Sequence, residues 1–386
     1  MNDSPKKSNS GLGAAAAVIG VLGLIGVFVG KAQGMPNVFQ SYLLGYLMWL
    51  MPTLGFLGIV ILVNLVRGRF GYPILGISQA GARLLPAMAI LFLPILFFLP
   101  EVYPWARPDE VAQNPVLQIR AHFLNPMGFG IRAVIYFAVW VGIAFLLSSW
   151  SKRQDQSGES QWEGKRSSFA AGAAVAFVLT VTLAATDWVM SLEPHWYSTI
   201  FGLLLVAAQM LTALAIAVAY LAFAKNSKVA VLVKPKHFHD LGTLLFTLVV
   251  FWAYLAFSQF LIIWSADLPE EITYFADRNE GPWSAIGGAI VFLHFLAPFL
   301  ILLSAKVKRT AAFVGGIAVF ILVMRVVEMF WFVTPSLHRE GPMLNWVDFA
   351  AILGVGGIWL FVLLWQYAKE PSPPVYALRQ MEQEHA

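Results

Sequence analysis

The chain has 386 residues, of which 59% are hydrophobic and only 12% charged, against roughly 45–50% and about 25% in a soluble domain, so a water-soluble fold is excluded. It contains no cysteine, which removes disulfides, iron–sulfur ligation and thiolate zinc sites from consideration. The net charge of +4 is modest, and the basic residues are divided by membrane side rather than clustered, so no nucleic-acid partner is expected.

A membrane span needs about 20 apolar residues at 1.5 Å rise to cross roughly 30 Å of hydrocarbon. Ten stretches qualify, near 12–32, 38–66, 82–103, 131–150, 168–190, 197–224, 240–264, 282–304, 310–333 and 346–368. They predict an all-α polytopic membrane protein with one transmembrane unit over 1–369. The first stretch follows Lys6 and Lys7 as a secretory signal would, but it is too long and lacks a small-x-small cleavage site, so it is read as a span. Its Gly20, Gly23, Gly26 and Gly30 offer a smooth face for close helix packing. Pro86, Pro94 and Pro100 break the third span. The loop from Pro104 to Gly130, and the acidic one holding Asp267, Glu270, Glu271, Asp277 and Glu280, are either docking surfaces or simply solvated. A shift of four spans preserves direction, so spans 2–5 and 6–9 are expected as two four-helix bundles with spans 1 and 10 peripheral. Residues 370–386, with Pro371, Pro373 and Pro374, read as a polar tail too poor in apolar residues to fold by itself.

Alternating the ten spans places eighteen of the 25 Lys and Arg residues on the side of both chain ends and six on the other, with Arg325 inside a span. Cytoplasmic loops carry such an excess, so both ends are expected in the cytoplasm.

An ionisable group in hydrocarbon needs a partner, a wet cavity or a function. Arg325 and Glu328 stand three apart on one face of span 9, in its outer half. Asp187 on span 5 lies at a similar depth, Asp348 starts span 10, and Glu193 and His195 follow Asp187 in a short loop. These residues read either as an outer-leaflet polar site for a quinol head group, with a carboxylate or histidine accepting protons, or as a buried ion network that fixes helix packing. On span 7, Asp240, Thr243, Thr247, Tyr254 and Ser258 are spaced 3, 4, 7 and 4, close to one helical stripe, with His239 at its mouth. That stripe, with His294 at mid-depth on span 8, is either a proton path or a set of ordinary interhelical hydrogen-bond formers. Gln209 is a further deep polar group. A b-haem needs two axial histidines, and only His294 is deep enough; His237 and His239 have no third ligand nearby, so no metal site is expected.

Two stretches carry a resemblance: Asp187-Trp188-Val189-Met190-Ser191-Leu192-Glu193-Pro194-His195-Trp196-Tyr197-Ser198-Thr199, and the run from His237-Phe238-His239-Asp240-Leu241-Gly242 to Phe251-Trp252-Ala253-Tyr254-Leu255-Ala256-Phe257-Ser258-Gln259-Phe260. Together they resemble the NrfD/PsrC-like membrane family, and within it the ActF-type subunit of bacterial alternative complex III. The resemblance implies a multi-pass subunit in a bacterial cytoplasmic membrane, free of its own redox cofactor, in a complex that oxidises quinol for a cytochrome c or an oxidase. The implied partners are a sister NrfD-like subunit, an iron–sulfur subunit, a multihaem cytochrome c subunit and lipids; the implied small molecule is menaquinone or ubiquinone. The role would be structural support, proton conduction or a secondary quinone site. Asp187, His195, His239, Asp240, Tyr254 and Ser258 are the polar residues the resemblance carries over. The competing reading is a secondary transporter with a polar site inside the bundle.

Overall fold

The computed structural model of the chain describes residues 6–224, 229, 232–336, 344–369 and 373–383. Lys225, Lys228, Arg339, Glu370 and Pro371, which enter the charge and tail readings, lie outside them. Among the described residues there is no strand, and ten helices are long and apolar enough to cross a membrane. They are α1 (Lys6–Ala32), α2 (Val38–Val66), the broken α3, α4 (Pro126–Ser157), α5 (Gln161–Trp188), α6 (Phe201–Phe223), α7 (Pro235–Ala266), α8 (Gly281–Leu302), α9 (Ala311–Val333) and α10 (Trp346–Ala368). Large apolar side chains such as Phe97, Val134, Phe257 and Phe313 cover the outside, as a lipid-solvated surface requires. The protein is therefore a multi-pass membrane protein. Ten crossings put residues 6 and 383 on one side, called here the terminal side, and the opposite one the far side.

Helices α2 to α5 form one four-helix ring and α6 to α9 a second. The rings meet through α2 and α6, the two most buried helices, with α5 also against α6. Close approach is set by size: a Cβ on Gly55 of α2 would collide with the Gln209 carbonyl of α6. Helix α10 lies outside, against α2, held by hydrogen bonds from Trp49 Nε1 to the Ile352 carbonyl (2.8 Å) and from Trp359 Nε1 to Thr53 Oγ1 (2.8 Å). Helix α1 packs on α10 alone over most of its length. A Cβ on Gly23 would stand 2.5 Å from the Gly354 backbone nitrogen, and one on Gly20 2.6 Å from that of Ile358. The glycine face of α1 thus meets glycines of α10, whose contribution is dispersion contact between two backbones.

Span 3 begins earlier than its hydropathy predicts. It starts at Tyr72 and runs in four pieces, Tyr72–Ala82, Leu85–Leu91, Leu93–Phe97 and Leu99–Val102. Each of Pro86, Pro94 and Pro100 is the second residue of a new piece, where its missing N–H has no helical partner to lose. The stretch 72–81 falls outside the expected span 82–103, and Gly76, Ser78, Gln79 and Gly81 dilute its hydropathy; in the fold these are buried, with Gly81 flat against Phe56. Span 4 is longer at both ends, since Asn125 caps it by accepting the Gly128 N–H (2.7 Å) and Gly158 ends it at φ 71°. The acidic far-side loop contains the helix Pro269–Asn279, and the C-terminal helix Val375–Gln383 packs on α3 and α4, where the Tyr376 N–H donates to Asp155 Oδ1 at 3.0 Å. The described tail residues therefore fold against the bundle rather than by themselves.

Ideal Cβ atoms at Gly26 and Ala350 lie 3.2 Å apart, close to the roughly 3.5–4.5 Å of a disulfide, and the natural chain has no other thiol. Oxidation of a Gly26→Cys, Ala350→Cys variant in membranes should therefore join α1 to α10, seen as a single linked fragment after protease nicking between them. A pair that stays reduced under copper phenanthroline contradicts this packing.

Candidate functional site

The second ring holds the only carboxylate–guanidinium–imidazole group buried together among the described residues. Arg325 and Glu328, one turn apart on α9, form an ion pair through Nη1 and Oε2 and are both fully enclosed. Glu328 Oε1 accepts a hydrogen bond from Trp252 Nε1 of α7 at 2.7 Å. Its Oε2 lies 3.5 Å from Nε2 of His294, which is 0% exposed. The indole of Trp252 meets the imidazole edge-on at 4.4 Å. Arg325 reaches across the junction of the two rings, donating through Nε to Thr212 Oγ1 of α6 (3.1 Å) and through Nη2 to Met51 Sδ of α2 (3.4 Å). Thr212 in turn donates to the Ala208 carbonyl at 2.7 Å. Two charges removed from water are tolerated there because they neutralise each other and their other polar atoms are taken up.

His294 sits in a π-helical turn, Ile290–Leu296, within α8. Pro298, four residues on, cannot donate to the His294 carbonyl and its ring would crowd it in a regular α-helix. The turn widens instead, with the Ala297 N–H bonding to Phe292 O, and this widening carries the imidazole inward. Such turns recur at functional sites. His294 Nδ1 has no hydrogen-bond partner among the described residues.

Beside this cluster lies a cavity of about 720 Å³ between α7, α8 and α9, under the helix Pro269–Asn279. Trp252, Phe260, Phe275, Phe295 and Trp331 give it aromatic walls, and Glu328 and Gln259 border it. Gln259 Oε1 and Trp331 Nε1, on two residues of its wall, are buried without hydrogen-bond partners among the described residues. Helix α7 touches α8 mainly at the π turn and beyond. Nearer the far side the wall opens toward lipid at Tyr254, Phe257 and Val291, Tyr254 being 64% exposed.

The other sequence-predicted residues do not join this site. Asp187 belongs to the first ring: Arg132 Nε and Nη2 of α4 clamp it at 2.8 and 2.7 Å, and Tyr136 donates to it at 2.7 Å. The expected network of Asp187 with Arg325 and Glu328 is therefore replaced by two separate ones, one per ring. Arg132, one of the six basic residues counted on the side opposite the chain ends, opens the expected span 131–150, and nothing in the sequence points across 55 positions to its partner. His195 is exposed beside Asn114 (Nε2 to Nδ2, 3.1 Å). Asp348 closes a capping box, accepting the Asn345 N–H at 2.8 Å while Asn345 caps α10. On α7 the stripe faces outward. Thr243 and Thr247 are exposed and donate to their own helix, to the carbonyls of His239 and Thr243. Ser258 is half-buried, and His239 and Asp240 form a surface pair at 3.6 Å. Among the described residues the stripe faces outward rather than into the ring, and only Tyr254 of its members lines the cavity. Gln209 is buried between α6 and α2.

Within the first motif the chemistry is architectural. Glu193 Oε1 accepts from Arg278 Nη2 (2.9 Å) and Ser336 Oγ (2.6 Å). Arg278 is wholly buried and donates also to the Tyr274, Trp331 and Phe332 carbonyls. Trp196 stacks on Tyr274 at 4.0 Å. Burial pushes the Tyr274 hydroxyl above its ordinary pKa, Glu193 adding to the rise and Arg278 opposing it. This clasp fixes the roof of the cavity. Sequence reasoning missed Trp252, Gln259, Thr212, Met51 and Arg278; Trp252 and Gln259 lie inside the second motif, and Pro298 was the available signal for the π turn.

Glu328→Gln leaves the Arg325 charge unpaired in the interior, at a cost of about 3–5 kcal/mol, and should lower the thermal midpoint of the purified protein by several degrees. The Arg325→Met, Glu328→Leu double variant removes both charges and should recover most of that loss. Additive losses in the double variant would contradict a mutually compensating pair. Set against models of known protein families and against curated proteins, the chain matches none.

Proposed function

We propose that the chain is a cofactor-free integral subunit of a quinol:electron-acceptor oxidoreductase complex in a bacterial cytoplasmic membrane, and that its second ring holds a quinol head group in the cavity bordered by Glu328. The observation that carries this reading is a buried, charge-compensated carboxylate at the edge of an aromatic cavity that opens to lipid. The ring of a menaquinol or ubiquinol fits between aromatic walls, its two hydroxyls meeting the acceptors Glu328 and Gln259, while an isoprenoid tail leaves between α7 and α8. Oxidation releases two protons and two electrons. Glu328 is placed to take a proton, and His294, 3.5 Å away, to receive it. The electrons pass to the iron–sulfur and haem groups of the partner subunits that the family resemblance implies.

With the basic terminal side in the cytoplasm, the cavity lies in the outer half, so protons leave outward. A transporter is less well supported, because its site is expected at the midplane between repeats, whereas this cavity lies within one ring. The outward polar stripe of α7 suits cover by a sister subunit.

Purification from native membranes tests the assembly: multihaem and iron–sulfur polypeptides should accompany the chain, and its isolation as a lone monomer rejects the reading. A photoreactive quinone analogue tests the site. It should label peptides of α7 and α8, with labelling reduced about tenfold or more by Gln259→Leu and by Glu328→Gln, while Asp240→Asn leaves labelling and quinol turnover unchanged. Labelling confined to the first ring would move the site away from Glu328.

A further inference from the structure

A second, smaller space of about 80 Å³ adjoins the Glu328 cavity. Tyr197, Ser198 and Thr199 of the loop before α6 line it, with Ile262 and Ile263 near the end of α7 and Glu271 of the roof helix Pro269–Asn279. Among the described residues Gln259 alone lines both spaces. It stands seven residues beyond Trp252 on α7, two turns and about 10 Å nearer the far side. Its side chain is buried, and Oε1 has no hydrogen-bond partner among the described residues. The two linings differ in kind. The cavity has aromatic walls, whereas the smaller space is bordered by three hydroxyl-bearing residues and by Glu271, the one carboxylate among its described lining residues. Tyr197 and Thr199 are exposed and Glu271 is half-buried, so this space reaches the far-side surface. A buried water takes about 30 Å³ and two to four polar partners. The space therefore has room for about two waters, with Gln259 at one end and Glu271 at the other.

We propose that this space is a hydrated exit for one of the two protons of the bound quinol, and that Glu271 hands that proton to the far-side solvent. The proposal rests on the quinol reading of the Glu328 cavity. Oxidation removes two protons and two electrons, and the electrons leave to the partner subunits. The proton of the first hydroxyl goes to Glu328. The second hydroxyl, at Gln259, gives its proton to the water beside the amide, and the proton passes along that water to the Glu271 carboxylate. Glu271 then loses it to far-side water and is a carboxylate again for the next turnover. The amide of Gln259 takes up no proton: it holds the hydroxyl and the water in place. Two separate exits keep the second proton from having to enter a pair already occupied by the first.

Quinol oxidation by the intact complex from native membranes, measured in H2O and in D2O beside labelling by the photoreactive quinone analogue, tests it. Glu271→Gln should leave the labelling of α7 and α8 as in the natural chain while lowering turnover about tenfold or more. The solvent isotope effect should rise, because departure of the proton becomes the slow step. Millimolar formate or imidazole, which carries protons in place of the carboxylate, should restore part of the turnover, and Glu271→Asp should keep most of it. If the Glu271→Gln complex does not assemble, Thr199→Leu, which fills the space without touching a charge, should show the same loss with labelling intact. Full turnover in a variant that is still labelled, or a loss in Glu271→Gln that neither small acid restores, would overturn the exit and leave the quinol site standing. Absence of labelling in the natural chain would instead reject the quinol site, and the exit with it.

Discussion

Hydrocarbon offers no water to an ionised side chain, and the whole arrangement follows from how each such side chain finds its neighbours within the protein. At Glu328 the solution draws on four helices: α9 supplies the countercharge, α7 an indole N–H, α8 an imidazole, and α6 anchors the guanidinium through Thr212. Arg325 also touches Met51 of α2, so the ion pair sits where the two rings join. Moving either ring relative to the other would strip partners from a buried charge, which makes the electrostatics a constraint on ring placement as well as on local packing.

Much of this architecture was legible from the residues. Ten spans follow from hydropathy, and the pairing of spans into rings follows from parity, because four crossings restore direction. What was not legible was the identity of partners. Depth suggested grouping Asp187 with Arg325 and Glu328, but depth is one coordinate of three, and Arg132 and Tyr136 occupy the other side of Asp187. The stripe on α7 was correctly placed on one face, yet periodicity does not say which way a face points. Thr243 and Thr247, bonded to their own helix, show the outward choice. The prolines of span 3 are no obstacle to crossing, since each of Pro86, Pro94 and Pro100 begins a new helical piece; hydropathy alone misplaced its start.

The two motifs divide the labour differently from their polar content. In the first, Asp187, Glu193 and Trp196 each tie a loop or helix end to another element, and the chemistry is spent on holding α4, α5 and the far-side helix together. In the second, the side chains that matter to the cavity are Trp252 and Gln259, seven residues apart and therefore on one face of α7, while the more obviously ionisable His239 and Asp240 stay at the surface.

Comparing the two buried carboxylates shows why the same residue type supports different readings. Asp187 has both oxygens occupied by strong donors, one a bidentate guanidinium, and its side chain is wholly buried. A proton or a ligand hydroxyl reaching it would have to displace a charge-assisted bond. Glu328 is compensated as fully in charge, but one side of it borders open volume, and the nearby His294 keeps a ring nitrogen unengaged. On the proposed reading, an incoming hydroxyl would add a bond there without breaking the pair, and exchange of protons with a bound molecule would depend on where the wall is left open more than on the presence of a carboxylate in the membrane.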